Sequence, residues 1–256
     1  KITVDQGHAK KIYLKDWPDY QKTLICDGEE VGFDQTKKGL RVFLSADYHY
    51  KKNSYQCELK LKKKNKTKSF PLLTVKIRSY PFEKERLNVD KKHVELSDED
   101  IERWKKEKKE LERAYSSLTL HRAYFKDPFE KPLNSKMTSA YGKERIFNNE
   151  KSSWHSGIDF RAWYGTPVPV ANRGKVVFTG NLFFNGNTVI VDHGLGIATL
   201  YCHLKKIKAQ EGEMVAQGDV IGLSGNTGRS TAPHLHWGVR IQGHWVNGFS
   251  LIKQGI

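Results

Sequence analysis

Three cysteines in 256 residues are too few for a disulfide framework, and no apolar run approaches the ~20 residues a membrane-spanning helix requires. No internal repeat stands out, which excludes solenoids and propellers. Acidic residues are also in short supply: 29 Asp and Glu stand against 44 Lys and Arg, a net charge of +15. Such a surface suits nucleic acid, an anionic membrane or an acidic cell-wall polymer. No nucleic-acid-binding motif accompanies it. The densest basic run, KLKKKNKTK at 60–68, reads as an exposed hairpin. What is present is apolar content of 38%, enough to bury real cores and to exclude a disordered tail. Cys26 and Cys57 lie in strand-like segments and can pair if the compartment is oxidising; Cys202 stands alone in TLYCHL.

The chain reads as mainly β in three parts. Residues 1–96 hold short strands (KITV, KKIYL, KTLIC, LRVFLSA, YQCELKL, LLTVKIRSY) separated by Gly, Asp, Asn and Lys turns. That spacing predicts an antiparallel, immunoglobulin-like β-sandwich. Residues 97–118 predict a connector helix, with Ser97 as N-cap, acidic residues in the first turn, and Ile101, Trp104, Lys108, Leu111 and Tyr115 near one face. From 119 to 256 charge thins, glycines multiply, and short β segments predict an antiparallel β domain with an open groove.

The chemistry sits in this last part. In TAPHLHWGV, His234 and His236 are two apart within a strand, so they point to one face. In WHSGIDF, His155 and Asp159 are four apart, a spacing that converges in a helical turn or a strand. His203 lies between, in TLYCHL. Four histidines and a carboxylate exceed the three protein ligands of a catalytic zinc site, leaving two groups for the reacting water or the developing oxyanion. Cys202 precedes His203 and by alternation faces the other way, with nothing to suggest a paired base for a cysteine nucleophile. His193 and His244 read as corner and hairpin residues, and His8, His49, His93 and His121 as surface.

These segments carry a resemblance. WHSGIDFRAWYGTPVPVANRGKVVFTG, NTVIVDHGLGIATLYCHL and GEMVAQGDVIGLSGNTGRSTAPHLHWGV resemble, in order and with spacing intact over roughly 128–250, the motifs of lysostaphin-type (LytM-like) zinc endopeptidases. The layout also resembles family members with a β-domain and a helix before the catalytic part. The resemblance implies one Zn2+ per chain on His155, Asp159 and His236, with His203 and His234 acting jointly as general base and transition-state stabiliser. It implies a zinc-dependent endopeptidase acting on peptide stems or cross-links of peptidoglycan, exported to the periplasm or cell wall, with Tyr201, Trp237, Asn181 and Asn187 lining the groove. An inactive or latent relative serving as activator or scaffold for other wall hydrolases is the alternative, and the first part is a candidate cover for the groove. Ala232, Trp237 and Gly238 depart from the family's usual residues beside the HxH, where they bear on substrate fit. Asn148 and Asn149, upstream of HSGID, read as a turn.

Overall fold

Alternation governs the N-terminal strands. Along Ser54–Lys63 the side chains of Tyr55, Cys57, Leu59 and Leu61 are buried, the period-two pattern of a half-covered sheet. In the computed structural model, which describes residues 1–87, 96–147 and 151–255, this strand is the middle of a five-stranded sheet. Its order is Ile2–Asp5, Lys66–Arg78, Ser54–Lys63, Gln21–Cys26, Glu29–Val31. A three-stranded sheet runs His8–Leu14, Gly39–Ala46, Phe33–Thr36. Leu24, Tyr55, Cys57 and Val75 of the first sheet share one apolar core with Ile12, Leu40, Val42 and Leu44 of the second. Within these two sheets one pairing departs from the antiparallel expectation: Ile2–Asp5 runs parallel to Lys66–Arg78. The two strands are distant in sequence, so no hairpin dictates their direction. Cys26 and Cys57 face each other across neighbouring strands and are disulfide-bonded. The lysine run closes the hairpin between Ser54–Lys63 and Lys66–Arg78.

The helix spans Asp98–Ser116, and the Ser97 hydroxyl accepts from the Asp100 N–H at 3.1 Å. Its inward face keeps the expected Leu111 and Tyr115 but not Trp104. Trp104 is 42% exposed, whereas Glu107 and Ala114 are buried. Glu107 is tolerated because both its oxygens are used: Arg103 Nε donates to one at 2.7 Å and the Phe183 N–H to the other at 2.8 Å. Leu111, Ala114 and Tyr115 then pack on Phe178, Ile190, Leu200 and Cys202 of the large sheet.

That sheet has ten strands. Its main order is Met137–Ser139, Gly157–Arg161, His234–Ile241, Ile197–Ile207, Gly186–Gly194, Gly174–Leu182, Met214–Val215. Register assigns its faces. Asp159 is paired with His236, and Gly238 with Leu200, on the face that carries the helix. Ile158 and Tyr201 are paired with Trp237 on the opposite face, inside the main core. Ala9 and Phe43 from the N-terminal sheets belong to that same core, and Phe43 meets Phe125 edge-on at 6.3 Å. Hydrogen bonds reinforce the junction: Ala9 N–H to Ser250 Oγ at 3.0 Å, Ser45 Oγ–H to the Ile241 carbonyl at 2.8 Å, and Asn247 N–H to the Gly7 carbonyl at 2.7 Å. A fourth, small sheet runs Lys151–Trp154, Glu144–Phe147, Lys84–Leu87, so a strand from the N-terminal part braces the hairpin next to His155. His93, Asn148 and Asn149 lie outside the described residues.

His193 is a corner residue of the core, fully buried. Its Nδ1 bonds the Arg173 carbonyl at 2.9 Å and its Nε2 the Thr199 hydroxyl at 2.7 Å. Burial, opposed by the Arg173 carbonyl, pulls its pKa down to about 4. A ring that is neutral when folded and charges at about 6.5 when unfolded adds stability above pH 6.5, lost as pH falls toward 4. At pH 5 this loss amounts to about 2 kcal/mol. Denaturant unfolding of the wild type and His193→Gln at pH 7.5 and pH 5 checks it: the variant, which cannot titrate there, is expected to lose correspondingly less stability between the two.

Candidate metal centre and cleft

Three donor atoms form a nearly equilateral triangle. His155 Nε2 lies 2.9 Å from Asp159 Oδ1 and 3.0 Å from His236 Nδ1, and His236 Nδ1 lies 2.9 Å from Asp159 Oδ1. Each is placed by a different device. Asp159 and His236 are cross-strand neighbours on one sheet face. His155 sits at the root of the 144–154 hairpin, where its N–H donates to the Lys143 carbonyl at 3.0 Å and its carbonyl accepts from Gly142 at 2.7 Å.

The chemistry of this set fits a cation. The Ala140 carbonyl, 2.8 Å from His155 Nδ1, places the proton on that nitrogen, so Nε2 turns a lone pair toward the Asp159 oxygen. Two lone pairs at that distance need a positive charge between them. Bonds of about 2.0–2.2 Å at tetrahedral angles put ligand atoms roughly 3.3–3.6 Å apart, so the triangle accepts a small divalent ion after opening by a few tenths of an ångström. Burial opposes ionisation of Asp159, but positive charge at the His155 and His236 nitrogens, the place a cation would take, outweighs it and holds the carboxyl well below the usual carboxylate range. Burial lowers the His236 pKa, with Asp159 opposing, which favours the neutral, metal-binding ring.

Gly157 is part of the same design. A Cβ there would stand 2.6 Å from His236 Nε2 and 2.6 Å from the Trp237 carbonyl oxygen. Gly157→Ala is therefore expected to displace the His236 ring and weaken metal binding at least about tenfold, as loss of ligand orientation does. Metal titration of the variant, with circular dichroism to show that it folds, checks this.

His203 and His234 flank the triangle, their rings 4.7 Å apart. His234 Nε2 is 3.7 Å from Asp159 Oδ1, and its Nδ1 bonds the Ala232 carbonyl at 2.8 Å. His203 reaches the cleft by an irregularity. Leu204 pairs with Asn187 and Tyr201 with Val189, so Cys202 and His203 together oppose Thr188. This bulge breaks the alternation expected from the sequence, and His203 takes a φ of 59°. Cys202 stays on the sheet face it shares with His236, but it is fully buried in the core beneath the helix and burial pushes its thiol pKa up. It is no nucleophile. His203 Nδ1 bonds the Thr227 carbonyl at 2.8 Å, and burial, against the pull of that carbonyl, lowers its pKa to about 4.

The residues expected to line the groove are placed otherwise. Tyr201 and Trp237 are fully buried. The Tyr201 hydroxyl accepts from the Ala171 N–H at 2.8 Å and bonds the Thr199 hydroxyl at 3.0 Å, a core bracket rather than a groove contact. Trp237 is one residue out of phase with His236 and packs near Phe160, at the opposite sheet face. Asn181 and Asn187 bond each other at 2.9 Å, and Asn187 also donates to the Leu204 carbonyl at 2.9 Å; both serve the turn and neither lines the cleft. The cleft, about 300 Å³, is walled instead by Trp154, Phe184, Asn185, Arg145 and Arg229 around the histidines. Arg229 stands inside the NTGRSTAPHLH stretch, where its position beside the motif was a usable signal. Arg145 stands in a hairpin without a motif. No described residue of 1–96 lines the cleft.

Comparison with known proteins agrees with this geometry. Residues 153–248 match the family model for Peptidase family M23. Peptidoglycan DD-endopeptidase ShyA of Vibrio cholerae is 41% identical over 119 residues, 45% of this chain and 28% of that protein. DD-carboxypeptidase/endopeptidase Mpg of Neisseria meningitidis is 46% identical over 97 residues, 38% of this chain and 22% of that protein. The matches thus span about a quarter of the length of these relatives. A crystal structure from Pseudomonas aeruginosa, described as an M23 peptidase, superposes with a TM-score of 0.74 at 25% identity, covering 97% of this chain and 95% of that one.

Proposed function

We propose, from the premise that residues 153–248 form a Peptidase family M23 domain, that this chain is a zinc-dependent endopeptidase hydrolysing peptide stems or cross-links of bacterial peptidoglycan outside the cytoplasm. The observation that carries the reading is the triangle of His155, Asp159 and His236 with two further imidazoles beside it in an open cleft. Two imidazole nitrogens and one carboxylate oxygen, leaving a fourth position open, are the donor set of catalytic zinc. When bound, zinc supplies Lewis acidity to a peptide carbonyl and brings water within reach of deprotonation near neutral pH.

The chain's own residues move the proton. With Nδ1–H donated to a backbone carbonyl, His203 and His234 each keep Nε2 for the reacting groups. One ring of the pair, neutral at pH 7 as His203 is, accepts a proton from the attacking water. The imidazolium so formed then donates to the departing amine, a pairing worth about 10²–10⁴ in rate. The 4.7 Å separation of the rings lets His234 Nε2 assist either step, and the roles are assigned to the pair. All five polar groups being in place weighs against the activator reading.

The test is metal content of the purified chain together with release of soluble muropeptides from intact peptidoglycan, with and without a chelator. One zinc per chain and chelator-sensitive release are expected. Zinc without release would point to a latent form, and neither to the activator reading.

A further inference from the structure

The cleft carries a chemistry that metal binding and proton transfer leave unused. Arg145 and Arg229 both line it, and Asp159, committed to the triangle, is the one carboxylate among its described lining residues. Arg229 is held from within. Its N–H donates to the Phe184 carbonyl at 2.9 Å, and its guanidinium lies 4.6 Å from the centre of the Phe184 ring. No described carboxylate lies within ion-pair distance of it; partial burial, then the Arg145 cation, lower its pKa. Arg145 is little better matched. Its Nε is 3.8 Å from Glu85, and its Nη2 donates to Ser139 Oγ at a long 3.4 Å. Two neighbouring guanidiniums whose one described carboxylate partner is Glu85, 3.8 Å from Arg145, repel each other, and a bound anion relieves that cost. Their planar forks match a carboxylate in two-point geometry.

We propose that Arg145 and Arg229 form a carboxylate subsite, so that the cleft selects peptides carrying a free carboxylate beside the scissile bond. The proposal rests on the peptidase reading above. A dicarboxylic diamino acid cross-linked through its second amine keeps a free carboxylate on the carbon bearing that amine. A glycyl–glycyl bridge has none near its internal bonds. The subsite therefore favours direct cross-links to such a diamino acid over neutral glycine bridges.

The test uses the full chain and two synthetic cross-linked peptide dimers that differ only in whether that carboxylate is free or amidated. The wild type is expected to cleave the free acid with a kcat/KM about tenfold or more above the amide, the difference lying mainly in KM. In Arg229→Ala and Arg145→Ala that preference should fall to within about twofold, and Arg229→Lys, which keeps the charge without the fork, should retain part of it. Equal cleavage of acid and amide by the wild type, or an undiminished preference in both alanine variants, overturns the subsite and leaves the peptidase reading standing. If the wild type cleaves neither dimer, calorimetric binding decides. Binding of the acid but not the amide, lost in Arg229→Ala, keeps the subsite while the peptidase reading falls. Equal binding of both, or none, removes the subsite.

Discussion

Asp159→Ala is expected to strip the metal and the activity together. The Asp159 oxygen stands 2.9 Å from both ligand nitrogens, and it is the one negative charge available to offset a divalent cation among the described lining residues of the cleft. Removing it leaves two imidazoles, so metal affinity should fall by more than the 10–100-fold that follows loss of an outer partner. His203→Ala is the contrast. Its ring touches no atom of the triangle at hydrogen-bond distance, and its Nδ1 is engaged with Thr227. That variant should keep its metal and still lose about 10²–10⁴ in rate. Elemental analysis of both proteins, alongside muropeptide release, separates the roles. Metal loss in His203→Ala would show that the ligand set is misassigned, and a metal-free but active Asp159→Ala would remove the metal from the chemistry altogether.

The parts of this centre that follow regular strand geometry are legible in the sequence. Period two places His234 and His236 on one face, and the spacing of His155 and Asp159 permits convergence. The same alternation assigns Trp237 to the core, since it is one residue out of phase with His236. Tyr201, opposite Trp237 in register, goes with it, and only cross-strand pairing reveals this. His203 is named by its motif, but its route into the cleft is hidden: a bulge is a local irregularity that leaves no periodic trace. The helix face resists reading because Glu107 is buried by partners far along the chain, the Phe183 N–H among them. Arg145 and Arg229 meet across 84 residues of sequence, so their pairing is a property of the fold alone.

Removal of residues 1–96 is expected to abolish the proposed activity rather than release it. A groove-covering role for this part would predict a faster truncated chain. Yet none of its described residues lines the cleft. Tyr48 stacks on Trp154 with ring centres 5.1 Å apart, His49 meets the same indole edge-on at 4.9 Å, and Phe82 lies 6.0 Å from Tyr141. Gly142, whose N–H bonds the His155 carbonyl, has no room for a Cβ because Phe82 fills that space. The aromatic cluster therefore supports the hairpin that carries the cleft wall and, at its root, the proposed metal ligand His155. Deletion also exposes core residues that Ala9 and Phe43 cover and breaks the junction hydrogen bonds. A loss of about 5 kcal/mol, at 2–4 °C per kcal/mol for a chain of this size, lowers Tm by roughly 10–20 °C. Phe82→Ala isolates the local effect: it removes one half-buried ring and should reduce turnover several-fold with a smaller drop in Tm. Thermal unfolding and muropeptide release on the full chain, Phe82→Ala and residues 97–256 make the comparison. A truncated chain that is as stable as the whole and faster would make the N-terminal part a cover, because a brace cannot be removed with a gain in rate.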